Sequence, residues 1–76
     1  MYQLLIEDRN IGERYLSSIV LSEKDLAKYN PKVFAQKEHL RRNPDDNMLE
    51  LEHLELIFSN IFIVGYVKLN YEEINL

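Results

Sequence analysis

Apolar and polar positions alternate over residues 2–8, with Tyr2, Leu4 and Ile6 on one side and Gln3, Leu5 and Glu7 on the other. A period of two with aromatic and β-branched content predicts a strand. The stretch Asp8-Arg9-Asn10-Ile11-Gly12-Glu13 is turn-like, Asn10 and Gly12 both being able to take positive φ. Alternation returns from Tyr15 to Leu21, where Tyr15, Ser17, Ile19 and Leu21 oppose Leu16, Ser18 and Val20. A β-hairpin with a loop of about five residues follows.

At Ser22 the period changes. Ser22 with Asp25 three residues on resembles a capping box, and a short helix over Glu23 to Tyr29 would carry Leu26 inward. Asn30-Pro31 ends it, because the residue before proline is pushed out of the α region. The same pair can begin a second helix, Asn30 as N-cap and Pro31 at the first helical position. That helix, Lys32 to Arg42, is expected to bury Val33, Phe34 and Leu40 with its basic residues turned outward. Asn43-Pro44-Asp45-Asp46-Asn47 reads as a loop.

From Ile61 the odd positions Ile61, Ile63, Gly65, Val67, Leu69 and Tyr71 form one face, and Phe62, Val64 and Tyr66 begin the other. This predicts a strand buried on both sides at its start. Residues 48–58 admit two readings. Leucine and glutamate favour helix, and Asn47 with Glu50 mimics a capping box. Against that, LELE alternates and Ile57-Phe58-Ser59-Asn60-Ile61-Phe62 is nearly palindromic about a two-residue turn. A hairpin would set Leu54, Leu56 and Phe58 against Gly65, Ile63 and Ile61, with a bulge near His53. The hairpin is the reading preferred on the pattern. The expected fold is a single α+β domain, 1–76, of order β-β-α-α-β-β, an antiparallel sheet with helices on one face. The alternative keeps residues 48–59 helical and gives β-β-α-α-α-β.

Composition mostly removes chemistries. Among 76 residues there is no cysteine, so thiolate nucleophiles, disulfides and cysteine-held metals are excluded. A small domain without staples points to a reducing compartment, and the cytoplasm is the expected location. The longest apolar run, Ile61 to Val64, is far short of the ~20 residues of a membrane span. Acids by position 7 and no basic n-region make MYQLLIEDRN unlike a signal peptide. Residues with AT-rich codons (Phe, Tyr, Met, Ile, Asn, Lys) number 29 against 10 with GC-rich ones (Gly, Ala, Arg, Pro), which suggests a low-GC bacterial or phage origin.

The net charge of -4 is unevenly spread. Residues 23–43 hold six basic and three acidic groups, whereas residues 44–76 hold one basic and seven acidic. Lys32, Lys37, Arg41 and Arg42, with His39 among them, could neutralise phosphates. Cations near a helix C-terminus also suit its macrodipole, and the acidic last third offers partners within the chain. A pI of about 5.0 is low for a dedicated nucleic-acid binder. Seven carboxylates over 33 residues are sparse as a mimic of duplex DNA, which carries about one charge per 1.7 Å. Solvated outer faces explain them more simply.

Catalytic and metal constellations are thin. Glu50-Leu51-Glu52-His53 contains one Glu-x-x-His, and a di-metal bundle needs two plus further glutamates. Asp45-Asp46-Asn47 lacks the glycine and downstream ligands of a calcium loop. Neither a phosphate-binding glycine loop nor His-Glu-x-x-His is present, and the serines lack a nucleophile elbow. His39 beside Glu38 is expected to face solvent. No enzymatic activity, cofactor or metal is therefore expected. Tyrosines at 2, 15, 29, 66 and 71 remain; Tyr66 and Tyr71 fall on opposite faces of the last strand, and tyrosine suits interfaces.

Exclusion leaves a binding module that occupies a surface of another protein, as an inhibitor or regulator of phage or mobile-element type. The expected contact residues are Lys32, Lys37, Arg41, Arg42, Tyr66 and Tyr71. A nucleic-acid-binding regulator using the basic helix 32–42 is the second reading. Open sheet edges offer a route to a homodimer.

Overall fold

The computed structural model describes residues 1–69, and within them the fold is α+β. Strands β1 (Tyr2–Asp8) and β2 (Glu13–Leu21) form the expected antiparallel hairpin. Helices α1 (Glu23–Leu26) and α2 (Pro31–Arg42) follow, then a 3-10 turn over Pro44–Met48, helix α3 (Leu51–Phe58) and strand β3 (Ile61–Lys68). The sheet is antiparallel in the order β2-β1-β3, so the first strand lies in the middle. In the hairpin loop Gly12 alone takes the left-handed conformation, at φ 67°; Asn10 does not.

The helix starts are as their sequences dictate. Ser22 Oγ accepts the Asp25 N–H at 3.1 Å, and Asn30 Oδ1 accepts the Val33 N–H at 3.1 Å with Pro31 just inside. Each bond satisfies one of the donors a helix N-terminus leaves unpaired.

Residues 51–58 correct the preferred hairpin: they are helical, as in the alternative order β-β-α-α-α-β. Two forces decide it. Leucine and glutamate both favour helix, and Leu54, Ile57 and Phe58 at spacings of three and four gather on one half-buried stripe. The partner that a preceding strand would have offered β3 is supplied by β1 instead, from Asp8 opposite Ile61 to Tyr2 opposite Lys68. The expected capping box is also absent. Glu50 takes the extended N-cap position with no side-chain cap, while Asn47 Nδ2 donates to Pro44 O at 3.1 Å.

The core lies between the sheet and the helices. Ile6, Ala35 and Ile61 are buried together, with Tyr15, Phe34, Ile57, Phe58 and Ile63 packed around them. The buried positions of α2 are Ala35, Glu38 and His39, whereas Val33 is exposed and Phe34 and Leu40 are half-buried. The helix is thus rotated from the apolar stripe its sequence suggests. Polar partners on the sheet account for the rotation.

Both ladders carry a bulge. In β3, Val64 and Gly65 together span the step opposite Leu5, so the strand changes parity there. Ile61, Ile63, Tyr66 and Lys68 consequently share the helix-covered face with Leu4, Ile6 and Asp8. Phe62, Val64, Gly65 and Val67 share the opposite face with Gln3, Leu5 and Glu7. In β2 the register slips opposite Leu4, where Ser17, Ser18 and Ile19 crowd one position.

Candidate functional site

The basic helix is not one surface. At about 100° per residue, Lys37 and Arg41 lie together on α2, while Lys32 is turned away from both by about 140° or more. Arg41 Nε lies 3.6 Å from Glu38 Oε2, and the Arg42 guanidinium sits 3.8 Å over the Tyr15 ring. Two of the four expected contact cations are therefore engaged within the chain. Lys32 and Lys37 are exposed and form no ion pair among the described residues. Burial raises the Tyr15 hydroxyl above its ordinary pKa of 10, against the lowering pull of Arg42, with Asp8 and Glu38 adding to the rise.

His39 is buried rather than solvent-facing, which corrects the expectation from its basic neighbours. Its Nε2 lies 2.7 Å from Asp46 Oδ2. Nδ1 lies 3.4 Å from Asn43 Nδ2 and 3.9 Å from Asp8 Oδ2, and Phe58 stands edge-on to the ring. With a carboxylate accepting at Nε2, the proton belongs on that nitrogen. Asp8, itself buried, accepts the Asn10 N–H at 2.9 Å. The imidazole thus ties α2 to the turn after it and packs beside the end of β1. Every buried side-chain N or O atom among the described residues has a partner, so no polar group there is left aimed at a ligand. Nor do the described residues place three His, Asp or Glu side chains where they could hold a metal ion.

The second face of the sheet is different. Helices cover the face of Leu4 and Ile6, and the other face carries Leu5, Leu16, Val20, Phe62, Val64 and Val67 with no element packed on it among the described residues. Leu16 is 42% exposed and Phe62 38% exposed, in the middle and at one end of an apolar stripe crossing all three strands. Charge borders it at the hairpin end. Glu7 receives Arg9 Nε at 3.0 Å and Arg14 Nη2 at 2.9 Å, and Arg9 also lies 4.5 Å over the Phe62 ring. These two guanidinium groups, Arg9 first, hold the Glu7 carboxyl below its ordinary pKa of 4.5.

An open cleft of about 370 Å³ runs beside the outer edge of β3, between Pro31 and Lys32 of α2, Phe58 and Ser59 at the end of α3, and Ile61, Phe62 and Ile63. Tyr66, further along the same edge on the helix-covered face, is 60% exposed and touches Tyr2 edge-on with ring centres 5.4 Å apart. Tyr71, the other tyrosine expected to make contacts, lies outside the described residues. The structure therefore does not bring the four cations onto one patch.

Leu16, Val20, Phe62 and Val64 were legible as strand residues but not as an uncovered face. The available signal was that both parities of both strands are apolar, which requires cover on two sides when only one set of helices exists. No helix among the described residues is long and apolar enough to cross a membrane. Comparison with known protein families, with curated proteins and with solved structures finds no match for the chain.

Proposed function

We propose that the chain is a small protein-binding module that covers a surface of another protein with the outer face of its sheet. The observation that carries this reading is the apolar stripe Leu5, Leu16, Val20, Phe62, Val64 and Val67, left without cover among the described residues while the opposite face is packed. An uncovered apolar face rimmed by charge costs solubility and is characteristic of interaction surfaces. The rim of Arg9, Arg14 and Glu7 supplies orientation, since interfaces combine an apolar centre with a polar border. Binding of this kind fits an inhibitor or regulator acting in the cytoplasm of a low-GC bacterium or on behalf of a phage. Site chemistry adds no support for catalysis: the buried His39 is held by Asp46 and Asn43 and is not among the residues lining the cleft beside β3.

The nucleic-acid reading has less behind it, because Arg41 and Arg42 are held by Glu38 and Tyr15 and Lys32 points elsewhere. The test is affinity capture from the source cell, then reconstitution with the identified partner from purified components. Leu16→Glu, on an exposed position, should abolish the complex while leaving the fold intact. A complex unaffected by Leu16→Glu would sink this reading. Retention of DNA that falls steeply between low and high salt would favour the basic helix instead.

A further inference from the structure

We infer that two copies of this chain pair through the outer edges of β3, antiparallel about a two-fold axis at the Val64–Gly65 bulge, each copy placing Tyr66 in the other's cleft. This concerns the edge of the sheet rather than its face and stands apart from the proposed function.

Backbone accounting comes first. Arg9 N–H donates to Asn60 O at 2.8 Å, and Leu69 N–H donates to Met1 O at 2.8 Å. Antiparallel ladders alternate between residues that bond across and residues that point away. Counting inward from both ends, Phe62, the bulge pair, Val67 and Leu69 turn toward β1. Ile61, Ile63, Tyr66 and Lys68 turn their N–H and C=O groups outward. Among the described residues no strand pairs with that edge. It carries no proline and no charge before Lys68, which leaves the Val64–Gly65 bulge as its one protection among the described residues.

A second copy meets this edge in one register. Placing Ile63 opposite Tyr66 and Ile61 opposite Lys68 joins outward-pointing residues to outward-pointing residues throughout, giving about eight new backbone hydrogen bonds. The same register keeps the faces in order, because the bulge changes parity at the symmetry axis. Phe62 then neighbours Val67 on the uncovered face, and Ile63 neighbours Tyr66 on the covered one. The two uncovered faces merge into one apolar surface across six strands.

Side chains agree with the backbone. Ile61 and Ile63 line the cleft together with Pro31 and Phe58. A tyrosine placed opposite Ile63 on that face enters the cleft, and Tyr66 is exposed at the matching position of the other copy. An unrelated strand would satisfy the hydrogen bonds but has no reason to bring an aromatic group to that point. Symmetry brings it twice.

Sedimentation equilibrium of the full chain, with amide hydrogen exchange, tests the pairing. A dimer is expected, with the Ile63 and Tyr66 amides protected although β1 does not bond them. Tyr66→Pro removes an outward N–H and should give a monomer whose circular dichroism is unchanged. Tyr66→Ala, which leaves the backbone intact, should weaken the dimer about ten-fold or more, the loss typical of a buried aromatic anchor. Leu16→Glu should leave the dimer in place, so failure of the proposed function and failure of the pairing are read separately. A chain that stays monomeric at about 100 µM, a concentration at which any dimer of micromolar Kd is mostly assembled, would overturn the inference. So would a dimer lost in Leu16→Glu and kept in Tyr66→Pro, or fast exchange at Ile63 and Tyr66 in the wild type.

Discussion

The fully buried carboxylate of Glu38 accepts the backbone N–H of Ser18, and Ser18 Oγ lies 2.7 and 2.9 Å from its two oxygens. This pair closes the irregular step in β2. Opposite Leu4 the ladder is interrupted, so the Leu4 N–H donates to Ser17 Oγ at 3.0 Å and the Ser17 hydroxyl donates to Ile19 O at 2.6 Å. Gln3 Nε2 takes up the Ser17 carbonyl at 2.9 Å. Two serines and a helix glutamate thus replace ladder bonds that the slipped register cannot make.

Removing the carboxylate leaves a strand N–H and a hydroxyl without an acceptor. Glu38→Ala should therefore cost about 2–3 kcal/mol, the range for bonds to charged groups with the unmet donor included. Ser18→Ala keeps the backbone bond and should cost about 1 kcal/mol. Urea unfolding of both variants checks the ordering. Equal losses would mean that the hydroxyl, rather than the strand N–H, is the group Glu38 serves.

His39 joins three elements through side-chain atoms alone. Replacing it with leucine fills the space but removes the donor to Asp46 Oδ2 and the ring nitrogen beside Asn43 Nδ2. His39→Leu should destabilise by about 1–3 kcal/mol, the range for a lost hydrogen bond to a charged group. Asp46→Asn, at a half-exposed position that can still accept from Nε2, should cost less than half as much. Thermal unfolding of the two variants separates a role in joining elements from simple packing.

These two residues mark the limit of what the pattern of the chain reveals. The hairpin, Ser22 and Asn30 as caps and the final strand were legible because each rests on neighbours two to four positions apart. The pattern points His39 at solvent and gives Glu38 no role, since their partners Ser18, Asp8 and Asp46 become neighbours only on folding. The pattern of residues 51–58 favours a hairpin over the observed helix α3 for a related reason. Both a strand and a helix could bury some of its leucines, and the choice depended on β1 having a free edge for β3. The cleft was not legible at all, because its α2 wall, Pro31 and Lys32, is distant in sequence from the wall running from Phe58 to Ile63. The uncovered face was half legible, from apolar residues on both parities.

Helix α3 divides its apolar residues sharply. Phe58 packs on the core and on the His39 ring, whereas Leu51 is 70% exposed. Phe58→Ala should cost about 3 kcal/mol, at the lower end of aromatic truncations because Phe58 is only half-buried. Leu51→Ala should fall within about 0.5 kcal/mol of the wild type. Had residues 51–58 been a strand, valine at the exposed Glu55 would be better tolerated than alanine. In the helix Glu55→Ala should instead be better tolerated than Glu55→Val, by about 0.5 kcal/mol from propensity alone. Circular dichroism at the helical bands reads the same distinction.

Acid should break the Glu7 ion pairs only below the ordinary carboxylate range. Arg9 and Arg14 hold that carboxyl below its ordinary pKa of 4.5, so ionised Glu7 is favoured more by the folded chain than by the unfolded one. The sign follows from linkage: the contribution is complete above the unfolded value and is lost as pH falls through the lower, folded value. Both arginine side chains are mostly exposed, at 64% and 62%, so salt should screen the interaction. An NMR titration of the Glu7 carboxyl should accordingly show a midpoint below 4.5 in the wild type that rises in high salt. Arg9→Gln should raise it more than Arg14→Gln, because Arg9 makes the larger contribution. An unmoved midpoint in both variants would mean that the guanidinium groups are held at the rim by Phe62 and solvent rather than by Glu7, and the border of the uncovered face would then carry a free negative charge toward its partner.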